Sequence, residues 1–139
     1  MDPLFSKLNY KDGQTLVVLH PPVVFEQHLE TIPPEYQVVN EFTTDHPIEF
    51  IIVFSTKKDE VRELLKSIVP CLIGDAVFWL AYPKGTSKKF SCDFNRDTSW
   101  EICKPYQLLP VRQIAVDDDW SALRFRKKEY VKSSGKKQQ

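Results

Sequence analysis

Three short runs of uninterrupted apolar residues constrain this chain most. Residues 15–20 read Thr-Leu-Val-Val-Leu-His, Glu49–Phe54 carries Phe-Ile-Ile-Val-Phe, and Ala76–Tyr82 reads Ala-Val-Phe-Trp-Leu-Ala-Tyr. A strand with one wet face alternates apolar and polar residues. A strand apolar at every position needs both faces covered, as in a parallel sheet flanked by helices. Helical patterns separate the runs. Phe25, Leu29 and Ile32 recur at i, i+4, i+7, and Val61, Leu64, Leu65 and Ile68 share one helix face. Pro33, Pro34 and Pro70 end those helices. Thr56 is the expected cap of the second, with Asp59 at its third position.

The remaining pattern completes the order of elements. Met1–Gln14 is polar and ends in the turn signal Asp12-Gly13, and Tyr36–Phe42 is a weaker strand. Gly74-Asp75 reads as a turn into the third run, and Phe90–Asn95 as extended. Thr98 and Glu101 form a capping-box pair opening a short helix that Pro105 limits. Val111–Val116 and Ala122–Lys128 read as strands, the second alternating Leu123 and Phe125 with Arg124 and Arg126. The linker from Asp117 to Ser121 suits a hairpin-like return. The expectation is one α/β domain over residues 1–130, three-layered and Rossmann-like. Its mainly parallel sheet has about six strands and an antiparallel C-terminal pair.

Charge and cysteine usage bound the function class. The 19 basic and 19 acidic residues cancel, but unevenly. Lys127, Lys128, Lys132, Lys136 and Lys137 face only Glu129, so the C-terminal segment is basic and the body acidic. A flexible basic tail over 131–139 is expected as a solvated end, with nucleic-acid contact the less favoured reading. Cys71, Cys92 and Cys103 are odd in number and unpatterned, so they read as structural thiols rather than a disulfide framework. The first ten residues lack a basic stretch followed by an apolar core, and no run reaches the ~20 residues of a membrane helix. A cytoplasmic protein is expected, with no membrane partner.

In open α/β sheets ligands bind beyond the carboxyl ends of the strands, where strand order reverses. Residues 20–23, 55–57 and 83–89 gather there. Lys84, Gly85, Thr86, Ser87 and Lys88 form a basic loop, with Lys89, whose hydroxyls and amides suit an anion such as a phosphate or carboxylate. His20 ends a strand without a sequence-adjacent acid. Asp117 and Trp120 flank the same edge, and Lys84 could instead pair with that acidic run. Trp100 is placed to cover the lysine loop, and His28 on the outer side of its helix. No metal spacing joins the three histidines and three cysteines, and no catalytic motif is written in the chain. The expected partner is a small anionic ligand or a protein, with no cofactor and no metal. The leading reading is a non-catalytic binding module. The rival is a small enzyme with Lys84 as electrostatic stabiliser and His20 or Asp117 as acid and base.

Two stretches carry a resemblance. Tyr82-Pro83-Lys84 ends a buried strand, and Asp117-Asp118-Asp119-Trp120-Ser121-Ala122-Leu123-Arg124 opens the last one. Together they resemble a bacterial family of small cytoplasmic proteins, domain of unknown function 3052, which implies a fold but no activity. The order of elements is also similar to the second half of a class I methyltransferase. That resemblance implies a glycine-rich turn after the first strand, to let the backbone approach the methyl donor. Here the turn is His20-Pro21-Pro22-Val23, with two prolines that lack N–H donors. Glu41 is the loose candidate for a ribose-binding acid. A shortened methyltransferase-like fold without methyl transfer is the expectation.

Overall fold

A computed structural model describes residues 1–131, and the tail expected over 131–139 lies outside the described residues apart from Val131. Six strands form one sheet: β1 Leu16–Leu19, β2 Val38–Val39, β3 Ile48–Phe54, β4 Leu72–Pro83, β5 Leu108–Ala115 and β6 Trp120–Lys127. Four helices flank it: α1 Leu4–Lys7, α2 Val23–Leu29, α3 Lys58–Ile68 and α4 Arg96–Cys103. The order across the sheet is β2-β1-β3-β4-β6-β5. The first four strands run parallel, and β6 inserts antiparallel between β4 and β5. The α/β fold with a mainly parallel sheet and an antiparallel C-terminal pair is therefore present as read.

The uninterrupted apolar runs are explained by two cores, one on each face. Leu16, Val18, Phe50, Ile52, Phe54, Trp79 and Ala81 pack with Phe5, Leu8 and Phe25 of the N-terminal helices and their flanks. Val17, Leu19, Ile51, Val53, Phe78 and Leu80 alternate with them and pack under Val61, Leu65, Ile68, Ile102 and Cys103. Every position of β1 is buried because both faces are covered. Burial also pushes the Cys103 thiol up to about 12, so it stays neutral.

Several local expectations are corrected. The polar N-terminus holds a helix, α1, whose Leu4 and Phe5 are buried and whose following Leu8 carbonyl accepts from the buried Trp79 indole at 2.8 Å. The strand expected over 36–42 shrinks to Val38–Val39, and residues 90–95 form no strand. Gly74-Asp75 does not separate helix from strand. β4 begins at Leu72 and runs through Gly74, whose φ of 52° accommodates a register shift against β3. Thr56 does not cap α3. The helix starts at Lys58, and the Asp93 carboxylate accepts that residue's N–H at 2.7 Å, while Asp59 pairs with Arg62. Nor do Thr98 and Glu101 open α4. Asn95 is the cap and accepts from the Thr98 amide at 3.0 Å. Both cap expectations failed because a better acceptor arrives from the 90–95 loop. His28 does not point outward but meets Asp2 at 2.5 Å beside Phe25.

Candidate functional site

The parallel strands leave a reversal point between β1 and β3. β1 runs on to β2 on one side of it, and β3 leads to β4 on the other. Three side chains meet at that junction. His20 follows β1, Ser55 follows β3, and Glu60 lies in the first turn of α3. The buried Ser55 hydroxyl donates to Glu60 Oε1 at 2.6 Å, and His20 Nδ1 stands 3.9 Å from the same oxygen. His20 and Glu60 are 55% and 44% exposed, so the pair is open to an incoming ligand.

His20 has a φ of 56°, a left-handed conformation that is rare outside glycine, asparagine and aspartate. It also precedes Pro21, which restricts its backbone further. Such a conformation costs about 1–3 kcal/mol and persists only where surrounding structure enforces it. Here the buried β1 and the proline pair, which leads directly into α2, enforce it. The result is an imidazole placed over the crevice where a glycine turn would otherwise leave open backbone.

The second junction lies between β4 and β6. Pro83 pairs with Trp120, so the two stretches singled out in the sequence abut one another. The Lys84 amide donates to the Asp119 carbonyl at 2.8 Å, and the Ser87 hydroxyl donates to Asp119 Oδ1 at 2.8 Å. Ser87 Oγ also accepts from the Lys89 and Phe90 amides, at 3.3 and 3.2 Å. Asp117 Oδ1 accepts from the Asp119 and Trp120 amides, both at 2.8 Å. The basic loop thus closes on the acidic turn through backbone and Ser87. Among the described residues Lys84 makes no ion pair within 4.0 Å, so the alternative of an ion pair with the acidic run gives way to these bonds. The lysine and threonine side chains of the loop and Gly85 remain at the surface.

An aromatic row links the two junctions. Phe25 lies 4.7 Å from Phe54, Phe54 lies 5.4 Å from Trp120, and Trp120 lies 5.2 Å from Phe90. Trp100, expected to cover the lysine loop, instead has its ring 6.0 Å from Lys104 Nζ. Trp120 Nε1 is buried without a partner, and so is the Tyr82 hydroxyl one residue before Pro83. Burial pushes the Tyr82 phenol up. The two groups lie on opposite faces of the sheet, Tyr82 in the core under α3 and α4 and Trp120 in the core under α1 and α2, so each would need its own partner.

The structure divides the sequence-predicted residues into two groups. His20 joins Ser55, whose loop was expected at this edge, and Glu60, which sequence reading left out. Lys84, Gly85, Thr86, Ser87, Lys88, Asp117 and Trp120 gather at the second junction. Glu60 was hidden because a glutamate in the first turn of a helix is an ordinary helix residue. Among the described residues no three His, Cys, Asp or Glu side chains cluster as metal ligands. A cavity of about 780 Å³ lies beside the short edge strand β2 and is lined by Pro21, Glu26, Val38, Glu41 and Phe42 among others. It meets the crevice only at Pro21. It follows from the two-residue length of β2, which leaves that edge open.

No protein-family model and no curated protein matches the chain. Solved structures match its fold. A SAM-dependent methyltransferase from Aquifex aeolicus superposes with a TM-score of 0.61 at 10% identity, over 88% of this chain and 87% of that one. The glycopeptide N-methyltransferase MtfA, complexed with sinefungin, superposes at 0.57 and 10% identity, over 89% and 90%. A pericyclic reaction enzyme superposes at 0.53 and 14% identity over 88% of this chain, which spans only 38% of that one. The fold is methyltransferase-like. The cofactor that fold implies does not fit the turn after β1. Pro21 and Pro22 offer no N–H, and His20 fills the position where close backbone approach is needed. Glu41 is exposed and lines the cavity beside β2. No helix among the described residues is long and apolar enough to cross a membrane.

Proposed function

We propose that this chain is a small enzyme on a methyltransferase-like frame that transfers protons at the β1/β3 crevice and does not use the methyl donor in the usual way. The observation behind this reading is His20, held at a φ of 56° with Nδ1 3.9 Å from Glu60 Oε1. A carboxylate beside Nδ1 favours the tautomer with hydrogen on that nitrogen. Nε2 is then the atom that takes or gives a proton. Ser55 fixes Glu60 through the 2.6 Å bond, so Ser55 is a positioning residue rather than a nucleophile. The distance from His20 to Glu60 is long for a hydrogen bond, and such contacts commonly tighten on ligand binding. This architecture hosts varied chemistry, as the pericyclic reaction enzyme of the same fold illustrates.

A second reading rests on a different observation. The orphaned Trp120 Nε1, on the strand that abuts the Lys84 loop, favours a non-catalytic module that holds an anionic ligand there. Membership of the domain of unknown function 3052 family is part of this proposal. It is supported by the abutting Tyr82–Lys84 and Asp117–Arg124 stretches.

A thermal-shift panel of nucleotides, phosphorylated metabolites, carboxylates and the methyl donor separates the readings. A ligand that binds the native state alone raises the melting temperature by mass action. A shift lost in His20→Ala and kept in Lys84→Ala supports the crevice. The reverse pattern supports the loop. Saturable methyl-donor binding that survives both substitutions would overturn the proposal.

A further inference from the structure

The antiparallel pair at the C-terminal edge carries a charge cluster that neither junction uses. Leu123 and Phe125 of β6 enter the core beneath α3 and α4, while Ala122 belongs to the opposite core. Arg124 and Arg126 follow Ala122 in two-residue steps, so they share its face. On β5, Ile114 packs on that face opposite Ala122. Arg112, two residues earlier, stands directly opposite Arg124. Like charges directly opposite in an antiparallel ladder are destabilising.

One carboxylate answers three guanidiniums on this face. Arg126 donates Nε and Nη2 to the two Asp75 oxygens, at 2.9 and 2.5 Å. That fork occupies Asp75. Among the described residues no carboxylate lies within 4.0 Å of Arg112 or Arg124. Arg124 is half-buried, and its Nε is buried with no partner. Burial first, and then the Arg126 charge, pull that guanidinium below its ordinary value. Arginine keeps its proton regardless, so the positive charge persists without compensation.

We infer that Arg112 and Arg124 bind a doubly charged phosphate-monoester group of a small ligand on this face, with Arg126 held in place by Asp75. Two uncompensated guanidiniums match a dianion, whereas a carboxylate brings one charge. The planar fork of each arginine fits phosphate oxygens in pairs. The site is independent of the crevice. Arg124 lies opposite Trp79 in the middle of β4, and His20 sits at the carboxyl end of β1.

Melting in inorganic phosphate, at a pH where it is dianionic, is compared with chloride at matched ionic strength. Wild type, Arg112→Gln and Lys84→Ala are used. Phosphate at about ten times its dissociation constant should raise the wild-type melting temperature by roughly 5 °C beyond chloride. Arg112 is exposed, so Arg112→Gln should fold, melt above wild type in chloride and gain nothing from phosphate. Lys84→Ala should keep the full phosphate response. The Arg124 Nε–Hε resonance should move on phosphate addition in wild type and Lys84→Ala but not in Arg112→Gln. No rise beyond chloride, or a rise that survives Arg112→Gln, would refute the site. A single-stranded oligonucleotide that binds more tightly than phosphate through Arg112 would overturn the small-ligand assignment in favour of a nucleic-acid backbone.

Discussion

The two junctions at the carboxyl edge meet the same requirement in opposite ways. At β4/β6 the loop and turn satisfy one another. Asp117 takes two amides, Asp119 takes the Ser87 hydroxyl, and the Lys84 amide takes a carbonyl. At β1/β3 the chain holds an unfavourable φ at His20 and leaves imidazole and carboxylate open to solvent. The basic loop has the more suggestive composition, but its hydrogen bonds are largely internal. The sparse junction has the less suggestive sequence and the more available chemistry. A functional group must be held in place and yet not be fully satisfied by its own chain, and His20 meets both conditions.

The largest stability effect should come from breaking the self-satisfied junction. Asp117→Ala removes one half-buried acceptor from two amides at 2.8 Å. Hydrogen bonds to a charged group contribute about 1.5–3 kcal/mol, so a loss of about 2–3 kcal/mol is expected in urea unfolding. A loss below about 0.5 kcal/mol would mean that the turn holds without its aspartate, and the contrast between the junctions would fall.

The strained junction should respond with opposite signs to two substitutions. His20→Val places a β-branched residue at a φ of 56° and should cost about 2 kcal/mol. His20→Gly relieves the strain but adds unfolded-state freedom worth roughly 0.5–1 kcal/mol. Its net effect should be a gain of up to about 1 kcal/mol. A glycine variant that is more stable and has lost every ligand response would show that the strain is kept for function. Equal losses in both variants would show that the imidazole, not the backbone, holds the turn.

What the sequence made legible follows from the range of each interaction. Continuous apolar runs report burial on both faces, and β1, β3 and the apolar part of β4 were readable for that reason. Helix starts were misread where the capping acceptor comes from elsewhere in the chain, as Asp93 does for Lys58 across 35 residues. The α1 helix was missed because four residues carry too little periodicity. Of the site, the lysine loop and the Asp117–Trp120 turn were visible as clusters. Their mutual satisfaction was not, because it depends on the β4–β6 register. The Glu60 and Ser55 partners of His20 come from the start of α3 and the end of β3, and no local pattern joins them.

The cap supplied by Asp93 offers a smaller test. It links the loop after β4 to the start of α3, together with the Asp93 amide that donates to the Thr56 carbonyl at 3.1 Å. Asp93→Ala should cost about 1 kcal/mol, the usual value of a lost helix cap. It should also weaken any response that depends on Glu60, because Glu60 lies in the first turn of that helix. A stability loss with unchanged ligand response would confine Asp93 to the framework.

The smallest expected effect is at the residue that first drew attention. Lys84 joins the acidic turn through its amide, and that bond survives truncation of its side chain. It forms no ion pair within 4.0 Å among the described residues. Lys84→Ala should therefore change unfolding free energy by less than about 0.5 kcal/mol, as surface substitutions do. The matching Ser87→Ala removes the hydroxyl that donates to Asp119 and accepts two loop amides, and should cost about 1 kcal/mol or more. The order Ser87 above Lys84 is what a loop built for its own closure requires. If Lys84→Ala were the more damaging of the two, the lysine would be answering a charge within the fold, and the loop would be a structural ion pair rather than a surface open to ligand.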